Sequence, residues 1–134
     1  MINRVAVAVA FCVALTGCGG DRSVTRGAAL YAEHCAICHG QNLRGGGGAG
    51  VEGLSRTPSD LTVLAREEGG IFPRGEVLVI LDAYANGRQR GRMMRPFSHL
   101  TSQKSKAVKT EDGRTKVPSP QAALLAFLEA SQRP

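Results

Sequence analysis

Two cysteines and a histidine lie close enough in the sequence to hold one prosthetic group. Residues 35–40 read Cys-Ala-Ile-Cys-His-Gly. Side chains three positions apart share one face of a helix, so the thiols of Cys35 and Cys38 can each add to the same porphyrin. The imidazole of His39 is a nitrogen ligand of the kind that haem iron accepts. Because C-x-x-C-H is the spacing of c-type haem attachment, the sequence predicts one covalently bound haem c with His39 as an iron ligand.

Other uses of a C-x-x-C pair fit this chain less well. A zinc site needs four ligands, and the sequence has no second C-x-x-C or H-x-x-H pair to complete one. A thioredoxin-like dithiol lies near a strand in a βαβ unit, and no such unit is visible in the sequence. A structural disulfide suits a two-residue gap on a helix poorly. Haem attachment is therefore the hypothesis that we carry forward.

The first residues have the pattern of an export signal. Arg4 precedes an apolar run from Val5 to Leu15, which is shorter than the about 20 residues that a bilayer span needs. The sequence Leu-Thr-Gly-Cys at residues 15–18 then resembles the lipobox of bacterial lipoproteins, in which cleavage before the cysteine leaves that cysteine to carry the lipid. An ordinary signal with a cysteine near its end by chance is the alternative.

The lipobox interpretation divides the chain into three parts. Residues 1–17 are expected to be a lipoprotein signal peptide that is removed, residues 18–23 a tether lipidated at Cys18, and residues 24–134 a single domain. Such a protein would be exported to the periplasmic or extracytoplasmic side of a bacterial membrane. Cys35 and Cys38 would then be the only thiols left, and both are assigned to the haem.

Helical periodicity and capping residues predict four helices around the proposed haem. The first should begin near Ser23 or Thr25 and run to about His39, which places the cysteines at its end. The others are a short helix capped by Ser59, a longer helix with an apolar stripe, and a last helix capped by Ser119. Their expected bounds are Asp60 to about Arg66, about Arg74 to Ala85 with Val77, Ile80, Leu81 and Tyr84 as the stripe, and about Pro120 to Ser131.

A short hairpin is predicted just before the last helix. Asp112-Gly113 separates two short runs within residues 107–117, and Asp-Gly is a strong signal for a two-residue hairpin turn. The expected fold class is therefore all-α, with about four helices and one small β-hairpin.

The residues around the C-x-x-C-H motif resemble a known protein family. Gly27 to Gly40 reads G-x-x-L-Y-x-x-x-C-x-x-C-H-G, which resembles class I cytochrome c in its bacterial lipoprotein form. Residues 58–62, Pro-Ser-Asp-Leu-Thr, resemble the P-x-D-L-T segment of many bacterial mono-haem cytochromes. The resemblance covers about residues 24 to 131. It implies that the first and last helices cross at a glycine and an aromatic, here Gly27 and Phe127.

The resemblance also implies a methionine as the sixth iron ligand. The family typically has M-P-x-F in the loop after the last haem-facing helix, and counting back three residues from Phe97 gives Met94. The proline stands at position 96 in this chain, which leaves Met93 as the alternative ligand. His99 could serve if the loop folds differently, whereas His34, beside Cys35, is expected at the surface.

Basic residues cluster around the two methionines. The chain has a formal net charge of +6, and Arg88, Arg90 and Arg92 lie immediately before Met93. A positive field at this place would steer an acidic redox partner toward the haem edge. A solvated loop without a docking role is the alternative. Nucleic acid is not expected as a partner, because an exported, lipid-anchored protein would not meet it.

These predictions describe a one-electron carrier whose haem iron cycles between the ferric and ferrous forms in an exported, membrane-associated redox chain. No catalytic residue is assigned. A haem enzyme with an open sixth position, peroxidase-like or binding another small ligand, is the first alternative, with His99 or an arginine as its acid–base group. A haem subunit of a larger oxidoreductase is the second. The chain has no tryptophan, so we also expect the domain to be marginally stable without its cofactor.

Overall fold

Five α-helices and one hairpin make up the part of the chain that the computed structural model describes, which is residues 21–46, 57–88, 94 and 97–134. The elements are α1 Arg22–His34, α2 Ala36–His39, α3 Leu64–Glu67, α4 Arg74–Ala85, a 3-10 turn Ser98–Leu100, β1 Ser105–Thr110, β2 Gly113–Pro118 and α5 Ser119–Ala130. No helix within these ranges is long and apolar enough to cross a membrane. The predicted signal peptide, Cys18, Arg90, Arg92 and Met93 lie outside the described residues.

The predicted first helix is divided into α1 and α2. The division falls at Cys35, whose φ of −113° departs from helical values, although its N–H still donates to Tyr31 O over 2.8 Å. The cap is also different from the prediction. The Asp21 carboxylate accepts from the Ser23 N–H at 2.8 Å, so Asp21, rather than Ser23 or Thr25, caps α1. This division is why five helices are described and not about four.

The predicted helix from Asp60 to Arg66 begins later than expected. The Asp60 carboxylate accepts from both the N–H and the hydroxyl of Thr62, at 2.8 and 2.6 Å, and these bonds lower the pKa of Asp60. Asp60 and Thr62 therefore form a local turn, and α3 starts only at Leu64. Ser59 does not cap this helix, and the contact that it makes instead is described with the site.

Helix α4 has the bounds that the sequence predicts, and its apolar stripe is mostly confirmed. Val77, Leu81 and Tyr84 are buried, whereas Ile80 is 38% exposed and Leu78 takes the remaining core position. No side chain of its own caps the helix. Its first N–H groups, those of Arg74 and Gly75, donate instead to the two carboxylate oxygens of Glu111, at 2.8 and 2.9 Å.

The predicted hairpin is confirmed. Strands β1 and β2 pair antiparallel, with Thr110 opposite Gly113 across the turn. Helix α5 follows at once, with Pro120 in its first turn as expected. Ser119 is helical, not a side-chain cap, and its N–H donates to Lys104 O at 2.9 Å. Ser119 therefore ties the start of α5 to the residue before the hairpin.

Helices α1 and α5 pack against each other at the predicted glycine and aromatic. A Cβ added at Gly27 would lie 2.1 Å from the carbonyl oxygen of Ala123 and 2.6 Å from Cβ of Phe127. The rings of Tyr31 and Phe127 lie beside this crossing, with their centroids 5.4 Å apart. The absence of a side chain at position 27 is therefore what lets the two backbones approach so closely.

One polar side chain in the core lacks a partner. Gln121, on α5, is 1% exposed, and its Nε2 donates to no acceptor within the described part of the chain. A buried amide donor left unbonded costs about 1–3 kcal/mol in stability. Such a group is uncommon in folded proteins.

Candidate metal centre

The two cysteines of the C-x-x-C-H motif are free and half-buried. Cys35 lies at the junction of α1 and α2, and its carbonyl accepts from the N–H of Cys38 at 3.1 Å. Burial, together with the neighbouring Cys38, raises the pKa of Cys35 to about 11. A redox-active dithiol needs a lowered thiol pKa, so this environment does not favour the dithiol alternative. The motif presents two unoxidised thiols one helical turn apart.

His39 is the last residue of α2, and it is buried. One of its ring nitrogens lies within hydrogen-bonding distance of a backbone carbonyl. His39 is 9% exposed, and its Nδ1 lies 3.1 Å from the carbonyl oxygen of Ser59. When Nδ1 carries the proton, it donates to that oxygen and Nε2 keeps its lone pair for a metal. Burial lowers the pKa of His39, and the Ser59 hydrogen bond opposes this effect only in part. The lowered pKa favours the neutral imidazole, which is the form that binds iron.

Two backbone hydrogen bonds hold the segment with Ser59 beside His39. The N–H of Gly45 donates to His39 O at 2.9 Å, and the N–H of Leu61 donates to Leu43 O at 2.7 Å. Gly45 has φ +74°, and a Cβ added to it would lie 2.1 Å from the carbonyl oxygen of Pro58. The segments on either side of residues 47–56 are therefore joined at His39, and Gly45 sets how closely they approach.

We expect Gly45→Ala to disturb the histidine more than Gly46→Ala does. Both glycines have positive φ, but a Cβ at Gly46 would meet no atom within 4 Å. Both variants should lose about 1–2 kcal/mol of stability from the left-handed conformation. The Gly45 variant should lose roughly a further 1–3 kcal/mol, because its methyl group pushes Pro58 and Ser59 away.

The reduction potential gives the sharper readout for this pair. A weaker Nδ1 hydrogen bond makes His39 a less basic ligand, so the potential should rise in Gly45→Ala and stay unchanged in Gly46→Ala. Equal potentials in the two variants would show that the Ser59 carbonyl does not tune the ligand.

A tyrosine hydroxyl closes the turn after α2. Tyr31 is buried, and its hydroxyl donates to Gly40 O at 2.7 Å. Burial raises the pKa of Tyr31 well above its ordinary value, so the donor stays protonated. Gly40 leaves the helix with φ +77° and ψ 154°, a conformation that only glycine adopts readily. The glycine, the tyrosine and the histidine together fix the end of α2.

Met94 is the one residue of the 89–96 stretch that the structure describes. It is half-buried and lies in a bend, shortly before the N–H of Phe97 donates to Tyr84 O at 3.1 Å. That bond ties the chain after Met94 to the end of α4. A half-buried thioether at this place fits an iron ligand, but the choice of Met94 over Met93 stays a prediction.

His34 and His99 form a contact that the sequence did not indicate. Their rings stack with centroids 3.5 Å apart, and the ring of Phe97 lies edge-on to that of His99 with centroids 5.6 Å apart. Burial, followed by the neighbouring His34, lowers the pKa of His99. Because His34 directly precedes Cys35, the stack joins the 3-10 turn to the cysteine motif. Long-range ring stacking of this kind leaves no spacing pattern in a sequence.

Arg88 is the one member of the predicted arginine cluster that the structure describes. Its side chain is exposed, and its guanidinium forms an ion pair with Asp82 of α4. Part of its charge is therefore balanced within the chain. The docking role of Arg88, Arg90 and Arg92 stays a prediction.

The donor set of the motif suits c-type haem. Cys35 and Cys38 are unoxidised, His39 engages only Nδ1 in the hydrogen bonds of the described residues, and a half-buried methionine is available at position 94. Thioether attachment uses two such thiols, and haem iron takes nitrogen and thioether axial ligands. The residues present therefore fit the group that the motif predicts.

Comparison with known proteins supports the same cofactor. A family model described as "Cytochrome C oxidase, cbb3-type, subunit III" matches residues 22–110, a stretch that runs from α1 to the end of β1. No curated protein and no solved structure matches the chain. The matched domain is a c-type cytochrome, which binds haem c covalently.

Proposed function

The chain belongs to the family described as cytochrome c oxidase, cbb3-type, subunit III, and from that premise we propose that it is an exported, lipid-anchored carrier of single electrons. Its cofactor is covalent haem c, and electron transfer through haem is the function of the family. When bound, the haem supplies an iron that exchanges one electron between its ferric and ferrous forms. The chain's own residues hold, orient and shield that iron.

The observation that carries the proposal is the fixed imidazole of His39. Its Nδ1 is held at 3.1 Å by a backbone carbonyl, so the ring cannot turn without losing that bond. Cys35 and Cys38 lie on the preceding turn and supply the two attachment points. An electron carrier benefits from such rigidity, because a site that changes little between two oxidation states has little to reorganise when the electron moves.

Met94 is proposed as the sixth ligand, with Met93 as the alternative. A methionine thioether favours the reduced iron and raises the potential, which suits a carrier and closes the position that an enzyme would leave open. The enzyme alternative needs a free acid–base group near the iron. Of its described candidates, His99 is stacked on His34 and Arg88 is paired with Asp82.

Location and docking are the further parts of the proposal. Cytochrome domains of this family are typically exported and membrane-associated, which supports a lipid on Cys18 as the means of attachment. Since α1 begins at Arg22, soon after Cys18, a lipid there would keep the domain close to the bilayer. Arg88, Arg90 and Arg92 would face redox partners with acidic docking surfaces.

The arginine proposal predicts a salt-dependent electron-transfer rate. Charges across a small redox contact act over about one Debye length, roughly 8 Å at physiological ionic strength. The bimolecular rate with an acidic redox protein should therefore fall steeply as salt rises. Replacing Arg88, Arg90 and Arg92 by glutamine should flatten that slope and leave the haem spectrum unchanged, as stopped-flow mixing would show.

A matched control replaces Lys104, Lys109 and Arg114 of the hairpin region by glutamine, which removes the same charge elsewhere. This control should keep most of the salt slope. If the arginine variant keeps the parent slope, the docking surface lies elsewhere on the molecule.

A further inference from the structure

A groove of about 1080 Å³ lies between α4 and the hairpin, and none of Cys35, Cys38 or His39 lines it. Its wall carries two large apolar side chains that face solvent, Ile71 and Val79, which are 69% and 67% exposed. Exposed aliphatic side chains grouped in a concave place are typical of a binding groove and not of a solvated surface.

The groove is acidic although the chain is basic. Five of the chain's 11 acidic residues line the groove, but only two of its 17 basic residues do. The acidic residues are Glu68, Glu76, Asp82, Glu111 and Asp112, and the basic residues are Arg88 and Lys116. Asp82 pairs with Arg88, and Glu111 holds the start of α4. In the described part of the chain, Glu68, Glu76 and Asp112 line the groove and form no ion pair, so their charges are not balanced there. Such a groove attracts cationic groups.

The unbonded amide of Gln121 belongs to the same groove. Gln121 is among its lining residues and is 1% exposed, and its Nε2 has no hydrogen-bond partner within the described residues. A buried amide donor is nearly always bonded in folded proteins. A carbonyl oxygen of an occupant at this wall would supply the missing acceptor if the amide turns toward the groove.

We propose that this groove docks a basic amphipathic segment of a partner protein. Its apolar side chains would cover Ile71 and Val79, and its lysines or arginines would face Glu76 and Asp112. A carbonyl would accept from Gln121. This is the helix-in-groove mode of recognition, in which apolar anchors give the contact area and charges set the orientation. The groove shares Arg88 with the proposed arginine docking surface, and there Arg88 is paired with Asp82. The rest of its charged lining is mostly acidic, so the inference goes beyond the electron-carrier proposal and adds a second, basic partner.

A second copy of this chain is a poorer occupant. The basic surface that its hairpin offers has Lys109 and Arg114 opposite each other, while Lys116 already lines the groove. That face carries Ala107 and Pro118 but no large apolar side chain to cover Ile71 and Val79. A partner segment with both properties matches the groove better.

The test uses the holoprotein and a synthetic helical peptide with leucine on one face and lysine on the other. Fluorescence anisotropy of the labelled peptide should show binding, and a peptide with glutamate in place of lysine should not bind.

Glu76→Gln with Asp112→Asn should weaken binding about tenfold, since two charge contacts are lost. Asn-Gly is also a good hairpin turn, so the second change should keep the fold. Glu33→Gln with Glu67→Gln removes the same charge outside the groove and should change binding less than about twofold.

Gln121→Leu separates docking from folding. Removing an unbonded buried donor should keep or raise the melting temperature, yet it should weaken peptide binding roughly threefold to tenfold. Unchanged binding in Gln121→Leu would show that the amide serves only the fold and would overturn the proposed contact.

An equal loss in the Glu33/Glu67 control, or no peptide binding at all, would overturn the docking site. A dimer that sedimentation detects in the parent protein, and that dissociates in the Glu76/Asp112 variant, would also overturn it. The occupant of the groove would then be a second copy of the chain. The haem spectrum should stay constant in every variant, so failure here leaves the electron-carrier proposal standing.

Discussion

Replacing Cys35 and Cys38 together by serine should leave a chain that carries no covalent haem and melts without a cooperative transition. The chain has no tryptophan and only 4% aromatic residues, so its core has few large apolar side chains. Thioether-linked haem would act as a cross-link and as the centre of that core. Its removal should cost most of the about 5–15 kcal/mol by which a domain of this size is stable.

Calorimetry and haem staining after denaturation would measure both effects. The single variants Cys35→Ser and Cys38→Ser are the controls, because each keeps one attachment point and should retain part of the haem and of the transition. A cooperative, parent-like melt of the double variant would contradict the role given to the cofactor.

Gly27→Ala should strongly destabilise the protein, because it adds a methyl group where α1 and α5 cross. An added Cβ would lie 2.1 Å from the carbonyl oxygen of Ala123, a backbone atom that cannot move aside as a flexible side chain can. Helices α1 and α5 would have to separate, which should cost about 1–3 kcal/mol or more despite the better helix propensity of alanine. Haem retention should fall as well, since α1 leads directly into Cys35.

Gly75→Ala is the matched control within another helix. A Cβ there would meet only the end of the Glu111 side chain, at 3.0 Å, which can shift. We expect its melting temperature to stay close to that of the parent, or to rise. Equal stability of the Gly27 and Gly75 variants would mean that the α1–α5 crossing is looser than the structure shows.

Local signals in the sequence were sufficient for α4, α5 and the hairpin, but not for the division between α1 and α2 or the start of α3. Periodic apolar residues predicted the bounds of α4, and Asp112-Gly113 predicted the turn, because both features depend on neighbours in the chain. The crossing at Gly27 and Phe127 came from a family resemblance, and the structure confirms it. The motif proposed to bind the cofactor could be read in the same way, since Cys35, Cys38 and His39 are close in sequence.

Tertiary hydrogen bonds to backbone groups could not be predicted. The acceptor that orients His39 is the carbonyl of Ser59, and every residue type has a carbonyl, so position 59 gives no sign of the contact. Glu111 caps α4 from the hairpin turn for a similar reason: it is distant in sequence and its role depends on how the hairpin packs. The caps predicted at Ser23, Thr25 and Ser59 were wrong because Asp21 caps α1 earlier in the chain and Asp60 holds the Thr62 N–H in a local turn.

The central claim is an iron held between His39 and a methionine, closed to other ligands and used only to carry electrons. The optical spectrum of the oxidised protein tests it most directly. The account predicts a low-spin spectrum with a weak far-red methionine-to-iron charge-transfer band, which Met94→Ala abolishes and Met93→Ala largely keeps. Loss of the band in Met93→Ala alone would move the ligand by one residue. A high-spin ferric spectrum in the parent protein, with rapid cyanide binding, would contradict the account and favour a haem enzyme with an open sixth position.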